Sequence, residues 1–335
     1  MSRRVWATLG ALVGLAALTI FALSVGRYPV SVEQLAAAIG AKVFGIENAV
    51  PANIEIILFQ IRGPRVLAAL AIGGALAAAG ATYQGMFRNP LVSPDILGVS
   101  SGAALGAALG IFLSRDVWTI QLMAFAGGLL AVGLVFAIGS AMRGHDPVVS
   151  LVLTGVVIGT LLGSFIAMLK YLADPYNQLP AITFWLLGSL ASVTPKELGA
   201  LLILIAVGLV PMVALRWRMN LLTLPEDEAR ALGVNTKFMR GLVIAGATLV
   251  TAASVAASGV IGWIGLLIPH AARLVAGPDF GRMLPLAVLF GAAFLLGVDT
   301  LCRTAAAIEL PPGVLTALLG TPGFLWLLAA SRRSW

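Results

Sequence analysis

Of 335 residues, 60% are hydrophobic and 10% are charged, against about 25% charged in an ordinary soluble domain, and a soluble fold of this length has too little interior to hide that much apolar surface. A bilayer removes the difficulty, because lipid solvates apolar side chains while helices satisfy their own backbone groups. One cysteine and two histidines, His145 and His270, exclude a disulfide framework and a Cys/His metal cluster; the net charge of +7 sits mostly between apolar runs, as topology signals do, rather than in a stripe that would bind nucleic acid.

In chain order, Ser2-Arg3-Arg4 precedes an apolar stretch from Val5 to Val25. Ala22-Leu23-Ser24 loosely mimics a cleavage site, but a signal core has about 7–15 residues, so a retained first transmembrane helix is expected. Further runs long enough to span the bilayer lie near 64–83, 96–113, 118–141, 148–170, 198–215, 238–257, 259–276, 284–301 and 312–330, making ten, with the eighth interrupted by Pro269. The connection 26–63 reads as an extramembrane loop with one short helix, and 180–191 as a helix too short to span. The expected fold is an all-α polytopic membrane protein forming a single domain over residues 1–335. An even number of spans puts both termini on one side. If that side is cytoplasmic, thirteen Lys/Arg lie inside and eight outside, out of 21.

Small residues recur at helical spacing. Gly102, Gly106 and Gly110 line one face, and Gly155, Gly159 and Gly163 line another, which permits close backbone approach. Hydroxyls at Thr154, Thr160 and Ser164 would lend polarity to a mostly apolar pathway.

Three segments outside the apolar runs stand out. Tyr83 to Gly98 ends one helix, crosses a turn fixed by Pro90 and Pro94, and opens the next with Asp95 near its positive end; it reads as a gate or docking loop, or as a plain hairpin turn. Leu221 to Gly233 reads as a short charged helix. Thr223 and Glu226 have capping-box spacing, Pro225 falls in the first turn and Gly233 can end it, which suits docking to a soluble partner or a solvated loop. Gly259 to Arg273 reads as glycines before a helix broken at Pro269, with His270 an interfacial hydrogen-bonding residue at the helix end.

Together these segments resemble the FecCD-type permeases that import iron-siderophores, haem and cobalamin. The likeness runs from Ile61-Arg62-Gly63-Pro64-Arg65 to Gly320-Thr321-Pro322-Gly323-Phe324. It includes Asn89-Pro90-Leu91, Leu97-Gly98-Val99-Ser100-Ser101-Gly102, Phe184-Trp185-Leu186-Leu187-Gly188 and Glu309-Leu310-Pro311-Pro312-Gly313. The resemblance implies a type II ABC importer permease architecture of ten helices, in the cell inner membrane with both termini cytoplasmic. It implies a homodimer with the pathway at its interface, two cytoplasmic ATP-binding subunits and a periplasmic or lipid-anchored substrate-binding protein. It also implies that Leu221, Leu224, Pro225, Glu226, Glu228, Ala229, Arg230, Leu232 and Gly233 couple to the ATPase, although the family usually has Gly at the position of Pro225. Arg62, Arg65 and Arg303 resemble the arginines that meet acids of the binding protein, and Asn89 and Leu91 lie where the family narrows its exit.

The chain has no G-x-x-x-x-G-K-[ST] loop, so no cofactor is expected on it, and ATP with Mg²⁺ would serve a separate subunit. An ion-coupled secondary transporter is the rival reading, with Asp299 and Glu309 as the acids nearest to a span; a membrane-embedded enzyme has little to work with. Few soft ligands argue for a cargo that arrives already wrapped, such as a ferric siderophore, haem or a corrinoid, with a molybdate-like oxyanion as the alternative.

Overall fold

The computed structural model describes residues 3–45, 50–142, 147–224, 226–233 and 235–330. Among these the secondary structure is helical throughout: α1 (Arg3–Ser24), α2 (Val32–Phe44), α3 (Ala52–Ile56), α4 (Gly63–Phe87), α5 (Val99–Phe112), α6 (Val117–Ala141), α7 (Pro147–Leu172), α8 (Gln178–Leu187), α9 (Pro195–Ala214), α10 (Glu226–Ala231), α11 (Thr236–Ser258), α12 (Ile264–Ala276), α13 (Phe280–Thr304) and α14 (Pro312–Ala330). Seven helices are long and apolar enough to cross a membrane, and α5, α12 and α14 are shorter apolar helices at the positions of the remaining expected spans. The helix starts have local causes. Ser31 with Gln34 and Thr194 with Glu197 form capping boxes for α2 and α9, and Asp116, Asn235 and Asp279 cap α6, α11 and α13.

Helix α4 is the axis of the bundle. It packs against α9, α11, α12 and α13, and nearly every residue from Pro64 to Phe87 is buried. Its Ala/Gly composition explains this position, because a Cβ at Gly73 would overlap the Gly291 carbonyl of α13 and one at Gly80 the Gly265 carbonyl of α12. The stripe Gly102-Gly106-Gly110 seats α5 directly on the backbone of α6 at Gly127 and Met123 and on Ile120. The second stripe behaves differently: Gly155 meets Ile96, while nothing among the described residues lies within 4 Å of a Cβ at Gly163.

Three expectations are corrected. The connection 26–63 holds two helices, not one, and α3 continues through a π-helical turn (Ile57–Arg62) into α4. Pro64 cannot donate to Gln60, and the Gly63 amide bonds Leu58 O, five residues back, so a widened turn replaces a break. Helix α12 is not broken at Pro269; it runs through it from Ile264 to Ala276, and the interruption falls upstream, at 259–263. Gly259 there adopts φ 69°, ψ −168°, a conformation almost confined to glycine, and Trp263 is left-handed at φ 72°. His270 accordingly lies inside α12, buried, edge-on to Phe324 of α14 at 6.1 Å.

Candidate functional site

Two polar ends flank the apolar bundle, and α4 joins them. At the first end α4 stops because Arg88 turns left-handed (φ 51°, ψ 34°). The guanidinium of Arg88 then donates to Leu224 O and lies 3.5 Å from Leu222 O, tying the end of α4 to the segment nominated for coupling. Asn89 and Leu91 follow in a tight turn. Asn89 Oδ1 accepts the Leu91 amide at 2.9 Å, and the Leu91 side chain is exposed. Asp95, in a 3-10 turn (Pro94–Leu97), accepts the Ser100 hydroxyl.

The segment nominated for coupling, 221–233, begins within a 3-10 turn (Arg218–Thr223) and continues into α10. Met219 and Leu222 are sunk among Met239, Ala272, Phe280 and Met283, and Asn220 Oδ1 accepts the Phe280 amide of α13 at 2.8 Å. Leu221 and Leu224 are half-buried, Ala229 is buried, and Glu228 and Gly233 face outward. Leu232 is 60% exposed. Gly233 takes φ 78°, the left-handed conformation expected of a helix stop. Pro225 lies outside the described residues, as do the side chains of Thr223, Glu226 and Arg230.

One turn into the bundle, Gln84 reaches from α4 to α12. Its Nε2 donates to Leu266 O at 3.1 Å and lies 3.4 Å from Gly265 O; its Oε1 accepts from Arg273 at 3.4 Å. Gly265 O is the carbonyl that Pro269, lacking an N–H, leaves without its helical donor. None of Arg88, Gln84, Asn220 and Arg273 was nominated individually from the sequence, although Gln84 and Arg88 fall within the segment Tyr83 to Gly98 and Arg273 ends the segment Gly259 to Arg273. The usable signal was a glutamine within an otherwise small and apolar helix.

At the opposite end the three nominated arginines converge, although they are far apart in sequence. Arg65 Nε donates to Asp299 Oδ1 at 2.9 Å and Arg65 Nη1 to Glu309 at 3.0 Å, while Arg303 Nε donates to Asp299 Oδ2 at 3.2 Å. Arg62, only 6% exposed, uses backbone instead, donating to Leu23, Ser24 and Tyr28 carbonyls. Arg303 adds Ala22 O at 3.0 Å. These donors satisfy the open carbonyls and the negative end of α1. Gly26 leaves the room: a Cβ there would stand 2.5 Å from Arg62 Nη2. The cluster lines a cavity of about 230 Å³ with Tyr28 and Ile61, and Glu309 is its more exposed acid, with 42% of its side chain accessible against 0% for Asp299. Arg65 and Arg303 are thus held in an ion-paired network and Arg62 on backbone carbonyls, rather than on an open rim.

On the long outer face of α7, Val156, Val157, Leu161, Phe165 and Met168 are all exposed among the described residues. Thr160 and Ser164 lie on this open side, with hydroxyls returned to Val156 O and Thr160 O, whereas Thr154 is buried.

The sequence model of the FecCD transport family matches residues 14–330. The chain belongs to the FecCD transport family. It is 38% identical over 91% of its length, and 90% of the relative, to the molybdate import system permease protein MolB of Haemophilus influenzae. It is 42% identical to the cobalamin import system permease protein BtuC of Halobacterium salinarum, covering 84% of this chain and 76% of that one. A solved structure described as an inward-facing conformation of a metal-chelate type ABC transporter superposes with a TM-score of 0.87 at 34% identity, over 97% of this chain and 99% of that chain. As a FecCD-family member with these apolar helices, the chain is a multi-pass membrane permease of the ABC-transporter type.

Proposed function

We propose that this chain is the inner-membrane permease subunit of an ATP-driven importer for a metal chelate, working by alternating access as a homodimer. A separate ATPase subunit supplies the energy and a binding protein delivers the cargo. The observation that carries this reading is the tether of Arg88 to Leu222 and Leu224, which makes the exposed coupling segment and the end of α4 one mechanical unit. A force applied by a soluble partner at Leu232 enters the bundle through the buried Met219, Leu222 and Ala229, and reaches α12 through Gln84. The chain itself brings no phosphate-cradling loop, so the force is generated elsewhere.

The coupling residues are then Leu221, Leu224, Pro225, Glu226, Glu228, Ala229, Arg230, Leu232 and Gly233, on the cytoplasmic side, with Asn89 and Leu91 as the gate. The cluster of Arg62, Arg65 and Arg303 receives the binding protein at the far end, where exchange of Glu309 for a partner's carboxylate would free the fork of Arg65. The open face of α7 meets the second copy. Ferric siderophore, haem or cobalamin-like cargo fits a chain with one cysteine and two histidines. A molybdate-like oxyanion is the second reading, favoured by the 38% identity to a molybdate permease. An ion-coupled secondary transporter is disfavoured because Asp299 and Glu309 are occupied by arginines. The test is uptake into proteoliposomes holding this chain, its ATPase and its binding protein. The reading predicts uptake of a ferric chelate that requires ATP; uptake driven by a proton gradient alone would overturn it.

A further inference from the structure

Helices α6 and α9 flank α11 without closing over it, leaving a groove along the outside of the bundle. Its wider part, a cavity of about 560 Å³, is bounded by Val132 and Phe136 of α6, Val207 and Pro211 of α9, and Ile244 and Ala245 of α11. Gly133, Val207, Gly241, Leu242 and Ala245 are exposed along it, so the groove opens sideways toward the surrounding lipid.

The two ends of the groove differ in charge. Away from the coupling segment the same three helices line a second cavity of about 250 Å³, which holds Gln121 and Glu197, joined at 3.0 Å. At the coupling end the groove opens on cations. Arg240 lies four residues before Ile244 and Lys237 four before Gly241, so each sits one turn beyond a groove-lining residue on the same face of α11. Arg216 follows α9 at the same level, since Gly208 and Pro211 of α9 lie against Gly246 of α11. Basic residues are common at membrane edges. Here, however, Nε of Arg216 and Nε of Arg240 are shielded from solvent and make no hydrogen bond among the described residues. Buried donors of this kind normally find an acceptor. The Arg216 guanidinium also lies 5.4 Å from the ring of Trp217, an exposed aromatic of the type that marks headgroup level. The N-terminal turn of α11, capped by Asn235, adds its positive dipole end.

We infer that this groove is a binding site for one anionic phospholipid, with an acyl chain along α11 between α6 and α9 and the phosphate on Arg216 and Arg240. The occupant follows from the combination: an apolar trough open to lipid, an acid at one end, and under-bonded guanidinium donors at the other. Binding there wedges α9 and α11 beside the coupling segment and stabilises their packing.

The test is native mass spectrometry of the purified protein with phosphatidylglycerol, phosphatidylcholine or inorganic phosphate added in turn. Two surface cations supply roughly a thirtyfold preference for the anionic lipid. A phosphatidylglycerol adduct at that excess is expected, falling to parity with phosphatidylcholine in Arg216→Gln/Arg240→Gln. It is also expected to be lost in Ala245→Phe, which fills the trough and leaves the arginines intact. Equal adducts of both lipids in the unmodified protein, or a phosphatidylglycerol adduct that persists in Ala245→Phe, would overturn the assignment; so would inorganic phosphate that displaces the lipid completely. If the arginine variant does not fold, Ala245→Phe decides alone.

Discussion

Gln84 Nε2 lies 3.4 Å from Gly265 O, the one carbonyl of α12 that Pro269 deprives of its helical donor, and 3.1 Å from the neighbouring Leu266 O. A glutamine from one helix therefore completes the hydrogen bonding of another. Close approach makes this possible, since Gly80 of α4 rests on the backbone of Gly265 one turn away. In a bundle without water, such a substitute donor holds a proline inside a continuous helix.

Replacing Gln84 with Met removes that donor while keeping the volume, and leaving a buried acceptor unmade costs about 1–3 kcal/mol. The cost is expected to shrink in a Pro269→Ala background, where the restored N–H reaches Gly265 O. Denaturation of the four proteins of this cycle in detergent measures the coupling. Strictly additive losses would show that Gln84 acts elsewhere.

The arginine network makes a contrasting prediction for two acids. Asp299 is fully buried and is the carboxylate shared by Arg65 and Arg303, so Asp299→Ala leaves Arg65 with Glu309 alone and Arg303 with neutral acceptors, and is expected to cost about 3–5 kcal/mol. Glu309 is partly exposed and bonds Arg65 alone, so Glu309→Ala is expected to cost under about 1 kcal/mol. Thermal unfolding of the two variants side by side checks the ranking; equal losses would contradict it.

Much of the architecture was legible from the residues. Apolar runs located the spans, and the spacing of Gly102, Gly106 and Gly110 correctly marked a close helix contact, with α6 as its partner. The break before α12 was misplaced because proline is the louder signal, whereas its missing bond is repaired by a side chain 185 positions earlier in the chain, at Gln84. No local pattern announces such a repair. Arg62, Arg65 and Arg303 were nominated only through a family resemblance, and the pairing of Arg65 and Arg303 with Asp299 and Glu309 depends on how α4, α13 and the start of α14 meet. Arg88 was within a segment singled out for its prolines, but its partners are backbone carbonyls, which sequence does not distinguish.

Removing the tether tests the proposed link between the loop holding Asn89 and Leu91 and the segment proposed for coupling. Arg88→Ala is expected to keep the fold, since the side chain is exposed at the end of α4, and to retain basal ATPase activity of the assembled complex. Stimulation by the binding protein and cargo uptake are expected to fall about tenfold, the factor equivalent to 1.4 kcal/mol, close to the lower end of about 1.5–3 kcal/mol for one charge-assisted hydrogen bond. Paired ATPase and uptake assays in proteoliposomes separate the two effects. A parallel loss of both activities would assign Arg88 to assembly instead.

The two glycine stripes are expected to respond differently to bulk. Gly106→Leu drives a side chain into the Met123 backbone and destabilises the chain by about 1–3 kcal/mol or more. A Cβ at Gly163 meets nothing within 4 Å among the described residues, so with Gly163→Leu the monomer's stability is expected to hold while the association of two copies weakens. Unfolding and light scattering read these separately. Destabilisation of the isolated chain by Gly163→Leu would contradict an open α7 face.

The central claim is that an ATPase subunit grips the chain at residues 221–233. The most direct measurement is co-purification and ATPase activity with the co-expressed ATP-binding subunit, comparing wild type with Leu232→Asp, a change at an exposed side chain outside the packed bundle. The account predicts a stable complex with binding-protein-stimulated turnover in the wild type. In the variant the complex is lost while the chain's own unfolding temperature is unchanged. An ATPase bound and stimulated equally in Leu232→Asp, or transport by the chain without any ATPase, would contradict it.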